Sequence, residues 1–138
     1  MNQDLQQRAK AIKLAIFDVD GVLTDGRLYF LTDGSEFKTF NTLDGQGIKM
    51  LINSGVRTAI ISGRSTPVVE KRANNLGIQH LYQGREDKLV VLDELLGELL
   101  SLCLIHIDSV RVARRCGHAP CRPINQCLRI EVAVIINL

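Results

Sequence analysis

The sequence predicts an α/β fold of three layers built on a parallel sheet. Nearly continuous apolar runs, Lys13 to Phe17 and Val56 to Ile61, read as strands buried on both faces. Between them the apolar period changes to that of a helix, and polar residues gather just after each apolar run. Alternating strands and helices give right-handed crossovers and place chemistry at the C-terminal strand edges.

The elements follow in order. Residues 5–11 read as a short polar helical lead-in, and the first strand stops at Asp18. Asp18-Val19-Asp20-Gly21 then opens a loop. Leu28 to Leu31 and Glu36 to Phe40, separated by Thr32-Asp33-Gly34-Ser35, form a β-hairpin pattern around an Asp-Gly turn. From Asp44, residues Ile48, Leu51 and Ile52 share one helical face, and Gly55 stops that helix. The second strand ends at Ser62-Gly63-Arg64. Pro67 stands at the first position of the next helix, which runs to Leu76-Gly77. Ile78 to Tyr82 is a short third strand, with His80 packed beside it. Arg85 to Lys88 leads into a helix carrying Leu89, Leu92, Leu95, Leu96 and Leu99. Leu102 to Ile107 reads as a fourth strand ending at Asp108.

With 138 residues, the chain has the size of one domain. Being 46% hydrophobic and 23% charged, it falls outside the disordered, collagenous and low-complexity classes. No apolar run approaches the ~20 residues that cross a bilayer, and the polar N-terminus lacks the apolar core of a secretory signal, so a cytoplasmic protein is expected. A net charge of +2 argues for neither nucleic acid nor a membrane surface as partner.

These averages conceal a seam near Leu100. From Ser101 onward there are five arginines, no lysine and two acids, Asp108 and Glu131, together with all four cysteines. The cysteine spacing, Cys116-x4-Cys121-x5-Cys127, is not the paired Cys-x2-Cys of a zinc site, so free thiols are expected. Val132 to Ile136 is a β-prone apolar run, an aggregation hazard if it stays unpaired.

Phosphoryl-transfer chemistry is written at the strand ends. Two carboxylates as close as Asp18 and Asp20 repel unless a cation neutralises them, which suggests Mg²⁺. A metal-shielded carboxylate can attack phosphorus. Ser62 offers a hydroxyl and Lys88 a cation to the same phosphoryl group.

At Asp18-Val19-Asp20-Gly21-Val22-Leu23-Thr24-Asp25 the chain resembles the haloacid dehalogenase superfamily, whose first motif is DxDGxxT/S, with Ser62 and Lys88 in supporting places. Gly26 to Phe30, the hairpin, Phe40 to Lys49, Ser62-Gly63-Arg64 and Leu81 to Gly84 narrow the resemblance to the 3-deoxy-D-manno-octulosonate 8-phosphate (KDO 8-P) phosphatase family. It covers about residues 8–99. The resemblance implies a capless, haloacid-dehalogenase-like (Rossmannoid) domain over residues 1–138, with the hairpin in place of a cap. It further implies Mg²⁺-dependent hydrolysis of a phosphorylated sugar acid in lipopolysaccharide precursor synthesis. Asp18 would be the nucleophile and Asp20 the acid and base, with Ser62 and Lys88 beside them. Asn41, Thr42, Leu43, Asp44, Gly45, Lys49, Arg64 and Arg72, with Asp20 and Lys88, would bind substrate. Mg²⁺ would sit on Asp18, the Asp20 carbonyl and a third Asp after the fourth strand. Hairpins would assemble a homotetramer whose neighbours close each other's sites.

The family's fourth motif, Gly-Asp-Asp with a further Asp, is absent, and Asp108 is the nearest acid in a comparable place. Residues 101–138 resemble translation in a shifted frame or a fusion to unrelated sequence, a reading that the coding DNA tests. Two further readings stay open at this point: a phosphatase of another sugar acid phosphate, and a remnant without turnover.

Overall fold

Leu14 to Phe17 form the first strand, β1, and all four residues are buried. The computed structural model describes residues 3–101, 108–114 and 129–136. Helix α1 (Gln3–Ala11) leads into β1, a hairpin of β2 (Tyr29–Phe30) and β3 (Glu36–Phe37) follows, and then α2 (Thr42–Asn53). After it come β4 (Arg57–Ile61), α3 (Pro67–Leu76), β5 (His80–Tyr82), α4 (Lys88–Ser101), β6 (Asp108–Arg114) and β7 (Arg129–Ile136). The main sheet has the order β5-β4-β1-β7-β6, and every pairing in it is parallel.

Successive side chains of a strand point to opposite faces, and β1 uses this to bury two cores at once. Leu14 and Ile16, with Ala59 and Ile61 of β4, pack against Val91, Leu92, Leu95 and Leu99 of α4. Ala15, Phe17 and Ile60 pack on the other side with Ile48 of α2 and Val69, Ala73 and Leu76 of α3. The expected three layers are therefore present. Helix α2 starts where the Asn41 side chain accepts the Leu43 amide at 2.8 Å. Helix α3 has Pro67 at its start and ends on Gly77 at φ 77°, the left-handed cap that glycine adopts without a Cβ clash.

The hairpin lies apart from the main sheet. Leu31 donates to the Ser35 carbonyl at 2.8 Å, the Asp33 carboxylate caps the turn at the Ser35 amide, and the Tyr29 and Phe37 rings stack with centroids 5.0 Å apart.

The end of the chain departs from expectation. The run proposed as a fourth strand, Leu102 to Ile107, lies outside the described residues, and Asp108 begins β6 rather than ending a strand. On the side of β1 away from β4 the neighbour is β7, with Leu14 opposite Val132 and Phe17 opposite Ile135. Of the apolar run, Val132 to Ile135 are thus paired on both sides, by β1 and by β6, and Ile136 by β6.

His80 opens β5, and its Nε2 is buried with no hydrogen-bond partner among the described residues. Burial, reinforced by the nearby Arg57 charge, lowers its pKa from 6.5, while Glu98 pulls the other way. The unfolded chain then takes up the proton first, so this contribution to stability is complete above pH 6.5 and is lost as pH falls towards the folded value. A His80→Leu chain should show a smaller fall in melting temperature across that interval than the unaltered protein. Equal falls would place the pH dependence elsewhere.

Candidate active site

The site is assembled from three chain segments that meet at the C-terminal edge of β1, β4 and β5. Asp18 follows the last residue of β1 and is 5% exposed. One carboxylate oxygen, Oδ1, accepts the Val19 amide at 2.7 Å, and Oδ2 accepts Lys88 Nζ at 2.6 Å. Such charge-assisted bonds leave the carboxylate little freedom of orientation.

The loop after Asp18 winds into one tight turn. Val19, fully buried, offers its carbonyl to the amides of Leu23 and Thr24, both at 3.0 Å. The Thr24 hydroxyl accepts the Gly21 amide at 3.3 Å, which closes the turn, and Asp20 lines the same cavity as Asp18. Asp25 then accepts the Tyr29 hydroxyl at 2.7 Å and the Arg27 amide at 3.0 Å, and these bonds hold its carboxyl below the ordinary value. The first loop is so tied to the hairpin.

Ser62 comes directly after β4 and is 2% exposed. Its amide donates to the Tyr82 carbonyl at 2.9 Å and its carbonyl accepts the Arg85 amide at 3.1 Å, so β5 and the next loop pin it from both directions. Its Oγ accepts the Arg64 amide at 3.3 Å. Lys88 is the first residue of α4. Arg85 braces the approach to that helix by forking onto Asp87, with both bonds 2.8 Å long, and onto Glu94 at 3.0 Å. The Arg85 bonds also keep the Asp87 carboxyl below its usual range.

Asp18, Asp20, Ser62, Gly63, Arg64, Glu86 and Lys88 line one cavity of about 330 Å³, the size of a small-molecule site. Five of the residues expected from sequence come together there. Asn41, Thr42, Leu43, Asp44, Gly45, Lys49 and Arg72 are not among the residues lining it. Asn41 caps α2, Leu43 is 77% exposed, and Lys49 is exposed on the same helix. Arg72 donates to the Asn41 carbonyl at 3.2 Å and lies 5.7 Å over the Phe40 ring. Gly45 makes room for this, because a Cβ there would collide with the Arg72 guanidinium.

Asp108 is placed away from the site. Ala113 stands level with Phe17 through Ile135. Asp108 is five residues earlier on a parallel strand, about 16 Å towards the opposite edge at ~3.3 Å per residue. A strand that starts at its acid puts that acid on the edge opposite Asp18. Among the described residues, no three His, Cys, Asp or Glu side chains come together to hold a metal ion.

Sequence reasoning missed Lys38, Glu36 and Glu86. Lys38 ion-pairs with Asp20, and its side chain is 2% exposed. Glu36 pairs with Lys38 at 3.1 Å and with Arg64. Thus each motif carboxylate already has a lysine, Lys88 for Asp18 and Lys38 for Asp20, and closeness of the two acids does not by itself demand a metal. A lysine set between Phe37 and Phe40 in a hairpin strand was the available signal. The donors nevertheless suit Mg²⁺. Asp18 and the Asp20 carbonyl offer hard oxygens, and Mg²⁺ keeps several waters, binding through one or two carboxylates plus substrate phosphate.

No family model matches the chain. A curated relative, the KDO 8-P phosphatase of Yersinia pestis, is 54% identical over 96 residues, 70% of this chain and 51% of that protein. The chain thus spans about half the length of the curated relatives it matches. Among solved structures, a probable YrbI family phosphatase from Pseudomonas syringae is 80% identical, with a TM-score of 0.68, over 72% of this chain and 56% of that one. The KDO 8-P phosphatase of Moraxella catarrhalis, solved with magnesium, phosphate and KDO, is 42% identical at a TM-score of 0.66, over 77% of this chain and 59% of that one. A HAD superfamily (subfamily III A) hydrolase from Legionella pneumophila is 36% identical at a TM-score of 0.69, over 81% of this chain and 69% of that one. With the Asp18 motif, Ser62 and Lys88 gathered on one sheet edge, the chain belongs to the haloacid dehalogenase superfamily, and within it is similar to the KDO 8-P phosphatases over about 70% of its length.

Proposed function

We propose that the chain is a Mg²⁺-dependent phosphatase that hydrolyses KDO 8-P to KDO and phosphate, a cytoplasmic step of lipopolysaccharide precursor synthesis. The observation that carries this is the buried Asp18 carboxylate, held by Lys88 at 2.6 Å, in a cavity it shares with Asp20, Ser62 and Arg64. The Yersinia and Moraxella relatives support the choice of substrate. The family's homotetramer is part of the same reading.

Asp18 attacks phosphorus and becomes an aspartyl-phosphate, while Asp20 gives a proton to the departing sugar oxygen. Asp20 then takes a proton from the water that attacks the phosphoenzyme, and Asp18 is released. Lys88 and the Ser62 hydroxyl stabilise the equatorial oxygens as charge shifts. Arg64 lines the same cavity and offers a guanidinium to the substrate carboxylate. Mg²⁺, held by the Asp18 carboxylate and the Asp20 carbonyl, would screen the nucleophile from the anionic substrate and polarise the phosphoryl group.

Phosphate release from KDO 8-P, followed with Mg²⁺ and again after chelation, tests this reading. Release that needs the metal and prefers KDO 8-P over other sugar acid phosphates is expected. A cooperatively folded chain that releases no phosphate in excess Mg²⁺ would overturn it.

A further inference from the structure

A buried lysine is costly unless it is paired. The Lys38 side chain is 2% exposed, directly after β3, and its Nζ is held between two carboxylates. One is Asp20, 28% exposed and lining the cavity, and the other is Glu36, 16% exposed. Glu36 Oε2 meets Arg64, which also lines the cavity. A continuous charge path, Asp20–Lys38–Glu36–Arg64, therefore joins two cavity residues through two hairpin residues that lie outside the cavity lining. An apolar side chain at position 38 would fill the same space with no desolvation cost, so hairpin packing alone does not explain an ammonium there.

We infer that Lys38 is a positioning residue for Asp20, and that the hairpin acts on the reaction through this pair. The inference rests on the phosphatase reading above. Lys38 holds one oxygen of the Asp20 carboxyl, which limits its rotation while the side chain still faces the cavity. Glu36 holds the Lys38 ammonium from the other side and is itself anchored on Arg64. Without Lys38 the Asp20 side chain has no fixed direction towards the leaving oxygen. An acid that is present but misdirected loses much of the 10²–10⁴-fold that proton transfer contributes.

The test uses the full chain, with Lys38→Met to remove the charge at similar length and Lys38→Arg to restore it. kcat/KM reports every step up to departure of the leaving group. A sugar alkoxide needs a proton to leave, whereas p-nitrophenolate leaves as a stable anion. Lys38→Met should lower kcat/KM on KDO 8-P by roughly 100-fold and on p-nitrophenyl phosphate by less than about fivefold. Lys38→Arg should recover most of the loss. Equal losses on the two substrates, or no loss on either, would overturn the inference.

Hydrogen exchange at the hairpin amides provides a readout that needs no turnover. Lys38→Met and Asp20→Asn should each speed exchange by roughly tenfold, and the double variant by no more than either alone, the mark of two groups acting as one pair. Multiplying effects would mean that Lys38 supports the hairpin independently of Asp20. If the unaltered chain hydrolyses neither substrate, the phosphatase reading fails separately, and exchange alone decides the pairing.

Discussion

An Asp18→Asn chain is expected to lose phosphate release by roughly 10⁴-fold or more, while unfolding in the same single cooperative transition. The carboxylamide keeps the shape of the side chain and an oxygen that can accept the Val19 amide, which lies 2.7 Å from Asp18 Oδ1. It lacks the negative charge and the lone-pair reactivity needed to attack phosphorus. Lys88 Nζ, 2.6 Å from Asp18 Oδ2, would keep a neutral acceptor in place of a charged one. The check is twofold: initial rates with Mg²⁺ present, and the mass of the acid-quenched peptide carrying residue 18. The unaltered chain should gain the mass of one phosphoryl group there and the variant should not. A rate within about a hundredfold of the original would assign the nucleophile to another group.

Leu95→Ala should destabilise the fold by about 2–5 kcal/mol, a large share of the roughly 5–15 kcal/mol that holds a domain together. Leu95 is fully buried and packs with Leu14, Ile16, Ala59 and Ile61 from β1 and β4. Truncation removes the transfer free energy of the side chain and leaves a cavity that a closely packed sheet face refills only in part. Leu89→Ala, on the same helix but 49% exposed, is the control and should change stability by no more than about 0.5 kcal/mol. Denaturant midpoints measure both. Similar shifts for the two variants would refute the assignment of this face of α4 to the core. The consequence reaches the site, because α4 begins at Lys88 and its packing is what aims that lysine at Asp18.

Much of the fold was legible because its signals are local. The apolar run ending at Asp18, the Asp-Gly turn, Pro67 at a helix start and Gly77 at its end each act within a few residues. Helix α3 runs from Pro67 to Leu76, as its caps predict, and β5 covers His80 to Tyr82, inside the expected run. The hairpin is antiparallel around its Asp-Gly turn, with strands shorter than the expected runs. Asp18, Asp20, Ser62 and Lys88 were legible for a related reason. A parallel sheet collects the ends of its strands on one edge, so polar residues that stop apolar runs are gathered whatever the loop lengths.

The chain's pattern of apolar and polar residues was by itself enough to place the layers and the sheet edge where Asp18, Asp20, Ser62 and Lys88 gather. Tertiary structure alone decided which strand lies beside β1, where Asp108 falls, and which cation meets which carboxylate. Lys88 reaches Asp18 across 70 residues of chain, and Lys38 reaches Asp20 across 18. Strand order and such pairings depend on how whole elements dock, a contest among burial, charge neutralisation and crossover geometry that no local window contains. Asp108 lost its expected place because β6 starts at that residue, and in a parallel sheet a strand's start and end lie on opposite edges.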